Sequence, residues 1–422
     1  MAKIWKLLRT NQNFVWMLLS VGATTLGEVL LLGGMLAEVL DRSGSALQTL
    51  LITIVTMITA VCVAPFSGVL ADRMPRKWIL AGSNWLRATV VGIFFLMVRA
   101  EQTELWHFYV VAFFYMGGAI LRAPARQAIM PQIVPTKTLV LANSVAKAVI
   151  LSCAALAFWL VGMWMLSSGL GFVLACSTVG LFVGGLVVIP IDLQLEAAPK
   201  TSGSHESIWT SIQLGYRFLN QHKVARPLVI MEGMESIPQG IWSYGMLLVF
   251  VERALNGNSA DWGLMNSAYQ TSLLAGTLIA IGMTKIINQH AGRMIIADTL
   301  FTALIGIPFV LSQSVTVATL LFFLFGLPQA MRDSAQDSVL QSSIDNSMLG
   351  RVYSFRSIAS QGAGLFSTLL FAWLADFVEI RLLFMIGAGI FILVALYAYS
   401  NEALRNSRII TGAEEKVPIT QP

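Results

Sequence analysis

Stretches of twenty or so residues pass along this chain with almost no charge: 47–70 reads LQTLLITIVTMITAVCVAPFSGVL and 382–400 reads LLFMIGAGIFILVALYAYS. A hydrocarbon layer roughly 30 Å thick is crossed by about 20 helical residues at about 1.5 Å each. No water is present there, so each backbone N–H and C=O must be bonded within the protein, and a helix does this locally. Barrel strands would alternate in polarity over roughly 10 residues; these runs are continuous, with polar punctuation between them. The chain is 56% hydrophobic and only 12% charged, about half the charged share of a soluble protein. The expected fold class is all-α and integral to the membrane.

Twelve spans fit the pattern, at 14–37, 47–70, 78–98, 105–124, 139–163, 168–190, 227–251, 262–284, 293–312, 315–331, 355–378 and 382–400. The basic start, MAKIWKLLRTNQNF, leads into a long apolar run without a small-residue cleavage site, and reads as a first span rather than a removed signal. With both termini cytoplasmic, only Arg42, Arg99, Arg253 and Arg381 of the 27 Lys and Arg fall on outer ends, and Arg87 lies within span three. That bias is the positive-inside pattern of a multi-pass plasma-membrane protein. It explains the net charge of +5 without a nucleic-acid partner.

The organisation expected is an N-terminal six-helix bundle over 1–195, a linker over 196–225, a second six-helix bundle over 226–400 and a cytoplasmic tail over 401–422. The linker begins rich in Pro, Ser and Gly and ends in an amphipathic helix, with Ile208, Ile212, Leu214, Tyr216, Phe218 and Leu219 among polar residues. Cys62, Cys153 and Cys176 lie in apolar runs and are expected to be buried and inert. His107, His205, His222 and His290 have no ligand spacing, so neither metal nor cofactor is expected. A phosphate loop and a nucleophile elbow are also lacking, which argues against an enzyme.

The two halves repeat. RAPARQAIMPQIVPTKTLVLANS and RDSAQDSVLQSSIDNSMLGRVYS align Arg122 with Arg332, Ala125 with Ala335 and Leu139 with Leu349 at an offset of 210 residues. Twelve transmembrane helices in two pseudo-symmetric bundles follow, an arrangement that parallel-repeat transporters use.

Between spans two and three stands GVLADRMPRK, residues 68–77. It resembles the G-x-x-x-D-R-x-G-R-[RK] signature of the major facilitator superfamily, with Pro75 where glycine is usual. APARQAIMPQIVP with LANS, and SADWGLMNSAYQTSLLAGTL, resemble the drug–proton antiporter branch that contains macrolide and siderophore exporters. The resemblance implies a cytoplasmic latch between the halves. Asp72 would dock at a helix N-terminus, which carries roughly half a positive charge. Arg73, Arg76 and Lys77 would reach carboxylates or carbonyls, and Gly68 would let two spans approach. Arg122, Arg332 and Asp333, at matching ends of spans four and ten, are gating candidates. The counterpart stretch IGMTKIINQHAGRM lacks an acid, so the latch is expected on one side only.

Charges at bilayer depth cost at least about 2.5 kcal/mol each and mark function by default. Glu28 in TTLGEVLLLGG is the leading proton-coupling candidate. Glu232 and Glu235 share one face of span seven, where SIPQG predicts a broken helix. Arg87 is expected to pair with Glu28 or with an anionic substrate, and Asp298 to sit at the rim near Arg293. Phe113, Phe114, Tyr115, Trp242 and Tyr244 are candidates for an adaptable apolar pocket. The expected function is proton-coupled export of lipophilic or amphiphilic small molecules by alternating access, from a monomer in the bilayer. The alternatives are export of an anionic siderophore-like product or a lysolipid, and a membrane sensor or scaffold.

Overall fold

The computed structural model describes residues 2–135, 138–192, 208–344 and 346–409. Among them the chain is helical, without strands. The first half holds α1 (Ala2–Thr10), α2 (Gln12–Ser43), α3 (Ala46–Arg73), α4 (Arg76–Arg99), α5 (Leu105–Ile133), α6 (Leu139–Ser167) and α7 (Gly169–Leu186). After α8 (Ile208–Gln221) come α9 (Ala225–Gln239), α10 (Tyr244–Leu255), α11 (Ser259–Gly282) and α12 (Thr284–Leu311). Four more follow: α13 (Val315–Ser343), α14 (Asn346–Leu374), α15 (Ile380–Ser400) and α16 (Glu402–Arg405).

Local chemistry sets these boundaries. Asn11 caps α2 by accepting from the Phe14 amide at 2.9 Å, and Gly44 ends that helix in the left-handed region at φ 63°. Asn258 and Asp261 form a reciprocal capping box at the start of α11. Span seven is broken as expected: α9 ends beyond Pro238, and Ser243 caps α10. Among the described residues, ten helices are each long and apolar enough to cross a membrane. The broken pair α9–α10 and the more polar α11 complete twelve spans.

Packing repeats between the halves. In the first, α2 packs on α6 and α7, α3 on α5, and α4 on α5 and α7. In the second, α9 packs on α14 and α15, α11 on α13, and α12 on α13 and α15. These are the same five pairings, shifted by six spans. The halves meet along α6 against α11 and α3 against α14.

The expected limits of spans four and ten, 124 and 331, fall short: α5 continues to Ile133 and α13 to Ser343. Hydropathy marks where lipid ends, whereas the hydrogen-bond ladder continues wherever neighbouring helices support it. Helix α8 packs on α14, with the Tyr216 and Phe355 rings 5.6 Å apart and Leu219 buried. Cys62 is exposed, and Cys153 and Cys176 are only partly buried, so the expectation of three buried thiols does not hold.

Candidate functional site

The longer-than-expected α5 and α13 change where Arg122 and Arg332 lie. Each sits eleven residues before its helix ends, inside the bundle rather than at the end of its helix. Each also meets an acid from the first membrane span of its half, α2 or α9.

In the first half, Glu28 of α2 is the shared acceptor of two guanidinium groups. Arg87 Nη1 donates to its Oε1 at 2.6 Å, and Arg122 Nη1 to the same oxygen at 3.2 Å. Arg87 is fully buried; its Nη2 donates to Asn84 Oδ1 at 2.7 Å, and Asn84 donates to Thr24 Oγ1 at 3.2 Å. Its guanidinium carbon lies 5.0 Å from the centre of the Tyr115 ring, within cation–π range. A Cβ on Gly118 would stand 2.7 Å from Arg87 Cγ, so α5 needs a glycine there to approach α4. Arg126 adds its charge to the field at Glu28. The Glu28 side chain stays 31% exposed.

The second half places more acids than bases. Glu235 accepts from Arg332 Nη1 at 3.1 Å and from Thr299 Oγ1 at 3.0 Å. Asp298, expected at the rim, is instead buried on α12 with Oδ2 3.3 Å from Arg332 Nε. Asp333, half-exposed, reaches Arg332 Nη2 at 3.4 Å. Glu232 pairs with Arg356 Nε at 2.5 Å, and Arg356 also holds Asp337 at 2.9 Å. Glu232 and Glu235 therefore have separate arginine partners and do not form an isolated carboxylate pair.

Between the halves lies a cavity of about 400 Å³. Trp242, Tyr244, Tyr269, Phe322 and Phe325 supply its aromatic wall, facing Leu32 and Thr56 of the first half. Its polar floor is Gln239, Gln329 and Arg332, which it shares with a smaller chamber of about 210 Å³ beside Glu232 and Glu235. Leu32 stands one turn beyond Glu28 on the same face of α2. Trp242 and Tyr244 are thus pocket residues, and Tyr115 lies beneath Arg87. Phe113 and Phe114 are 43% and 55% exposed on the outside of α5; they precede the inward-facing Tyr115 and so point to the other side of the helix.

The turn that resembles the superfamily signature is only partly described. Helix α3 ends at Arg73 and Pro75 caps α4, but the side chains of 65–73, including Gly68, Asp72 and Arg73, lie outside the described residues. Lys77 Nζ donates to the Ile191 carbonyl at 3.0 Å, a contact inside its own half. Arg76 has a partner as well.

A latch missed by the sequence reading joins the halves at the opposite end, away from the N-terminal residues. Asp376, between α14 and α15, caps α3 of the other half: it accepts from Ser45 Oγ at 2.6 Å and from the Ala46 and Leu47 amides at 2.7 and 3.3 Å. Arg253 donates to Asp376 at 3.2 Å, to the Ala375 carbonyl at 2.5 Å and to the Gly44 carbonyl at 2.6 Å. Burial pushes the Asp376 carboxyl up, but the Ser45, Ala46, Leu47 and Arg253 donors outweigh it and hold the group below the usual carboxylate range. Close crossing of α6 and α11 adds to the closure, since a Cβ on Gly162 would stand 2.6 Å from the Ser259 carbonyl. The available signal was an arginine at each outer end, which the charge count had set aside.

Known proteins share this architecture. The D-xylose–proton symporter superposes with a TM-score of 0.70 at 13% identity, covering 94% of this chain and 99% of that one. The nucleoside transporter NupG gives 0.71 at 13% identity over 93% and 100%. In sequence, the MFS-type transporter YjbB of Bacillus subtilis is 24% identical over 94% of this chain and 97% of its own length. Macrolide efflux protein A of Streptococcus pyogenes is 23% identical over 84% and 87%. The profile described as transmembrane secretion effector matches residues 8–416. With twelve spans, a repeated bundle and that match along nearly its whole length, the chain belongs to the transmembrane secretion effector family of major facilitator superfamily (MFS) transporters and is a transporter rather than an enzyme.

Proposed function

We propose that this protein exports lipophilic or amphiphilic small molecules across the plasma membrane by alternating access, driven by protons, with both termini in the cytoplasm. The observation that carries this reading is the central cavity, an aromatic wall over a charged floor, closed at one end by the Asp376–Arg253 latch. Apolar and aromatic side chains take up lipophilic bodies, and the few polar groups orient them. The likeness to macrolide efflux protein A supports export as the direction. Buried carboxylates that share arginines supply groups whose proton occupancy can change with access to water. Export of an anion anchored on Arg87 is the weaker reading, because both terminal nitrogens of Arg87 are already hydrogen-bonded.

The test is efflux from proteoliposomes carrying an imposed pH gradient. Ethidium, a fluorescent macrolide and a hydrophobic anion of similar size serve as probes. Gradient-dependent movement of at least one lipophilic probe, abolished by a protonophore, is expected. Movement of none, or movement indifferent to the gradient, would overturn the proposal.

A further inference from the structure

The halves repeat each other in shape but not in charge. Glu28 and Arg122 correspond to Glu235 and Arg332, at offsets of 207 and 210 residues, while the place of Arg87 on α4 is taken on α12 by Asp298, 211 residues on. A base in one repeat is an acid in the other. One carboxylate in the first half faces Arg87, Arg122 and Arg126. In the second half a single guanidinium, Arg332, lies between Glu235 and Asp298, both almost completely buried.

The two acids are not equally provided for. Glu235 receives hydrogen bonds from Arg332 and Thr299. Neither oxygen of Asp298 has a hydrogen-bond partner among the described residues, and its 3.3 Å approach to Arg332 Nε is proximity without hydrogen-bond geometry. The Glu232 oxygens also lack hydrogen-bond geometry, but Glu232 has Arg356 2.5 Å away and shares it only with the half-exposed Asp337, whereas Asp298 competes with the buried Glu235 for Arg332. One guanidinium neutralises one carboxylate. A second buried carboxylate beside it needs a cation of its own. The smallest one that an orphaned buried oxygen accepts is a proton.

We infer that Asp298 is the proton-exchanging group of this carrier, with Arg332 as the counter-ion it shares with Glu235; this rests on the proton-driven reading above. The O–H bond forms at Asp298 Oδ1 with a proton given up by hydronium when water reaches it past Arg332, which lines the polar chamber and keeps its charge and its bond to Glu235. When the cavity opens to the other side, that O–H bond breaks to water there and the carboxylate again competes for Arg332. The groups facing Asp298 are Arg332 and Asp333 on α13, Glu235 on α9 and Tyr269 on α11. Helices α15 and α16, which also touch α12, add no titratable group to this set. The link to substrate is direct: Thr302, one turn beyond Asp298, lines the central cavity, and Arg332 lines both spaces. Glu28, the acceptor of two guanidinium groups, is then a fixed counter-ion rather than the carrier of the proton.

Infrared difference spectra of the full-length purified protein across a pH titration read this directly. Wild type should show a protonated carboxylic C=O band that disappears on raising the pH. Asp298→Asn should lack that band and melt at the wild-type temperature at neutral pH, because the amide mimics the neutral acid. Glu235→Gln should keep the band. A titrating band that survives in Asp298→Asn, or that is lost in Glu235→Gln, overturns the assignment. So does an Asp298→Asn protein that fails to accumulate or melts much lower, since that outcome marks Asp298 as an ionised partner of Arg332. Ethidium efflux from the same preparations separates the two proposals: a band that follows Asp298 alongside gradient-independent efflux keeps the proton site and removes the proton drive.

Discussion

Replacing Asp376 with alanine should open the closed end of the transporter. The residue belongs to the second half, yet it caps the first turn of α3 in the first half and pairs with Arg253. The bonds from Ser45, Ala46 and Leu47 cross between the halves and are made only while that end is shut, whereas the pair with Arg253 lies within the second half. Loss of an N-cap costs about 0.5–2 kcal/mol, and loss of a carboxylate at a helix N-terminus about 0.3–1 kcal/mol. These overlap, and about 2 kcal/mol is a fair central value, which moves an equilibrium roughly 30-fold. A closed state favoured about tenfold would become the minority. Asp376→Asn keeps one acceptor oxygen for the α3 amides but loses the charge and the second acceptor, so a smaller shift of roughly 5-fold is expected. Spin labels at Ser168 and Ser314, exposed at that end of opposite halves, would report the change as a longer distance in double electron–electron resonance, largest for alanine. The pH dependence has a definite sign. The closed state holds the Asp376 carboxyl below its ordinary range, so its contribution is complete above that range and lost as pH falls through the depressed value. Distances should be the same at neutral and mildly acidic pH and lengthen only in stronger acid. Wild-type distances in Asp376→Ala would refute the reasoning.

Other variants probe orientation, the first-half cluster and the cavity. A cysteine at Gln102 should react with an impermeant maleimide added outside intact cells, and one at Arg408 only after permeabilisation; the reverse pattern would invert the topology. Glu28→Gln leaves Arg87 and Arg122 without their shared carboxylate, at a cost of about 3–5 kcal/mol, so its thermal melt should fall sharply; an unchanged melt would mean that water or another acid already neutralises them. Trp242→Ala removes the centre of the aromatic wall and should weaken ethidium binding several-fold, whereas Phe114→Ala, on the outer face of α5, should leave it unchanged. Equal effects of the two would show that the cavity is not the binding site.

Much of this architecture can be read one segment at a time. Apolar runs of span length, caps such as Asn11 and Asn258, and the Pro238–Gly240 interruption act within a few residues, and lipid forces each helix to satisfy its own backbone. The repeat joining Arg122 to Arg332 is likewise visible in the letters. Which charge meets which is another matter. Arg87 and Arg122 reach Glu28 across 59 and 94 residues, Arg332 reaches Glu235 across 97, and Asp376 reaches Ala46 across 330. Hydropathy placed Asp298 at a rim and Arg122 at the end of its span because it counts charges against depth along one helix. Whether a charge is rim or core depends on how far neighbouring helices extend and which face each one turns inward. Those are decided by close packing between helices distant in sequence, where a position such as Gly118 sets how near α5 can come to Arg87.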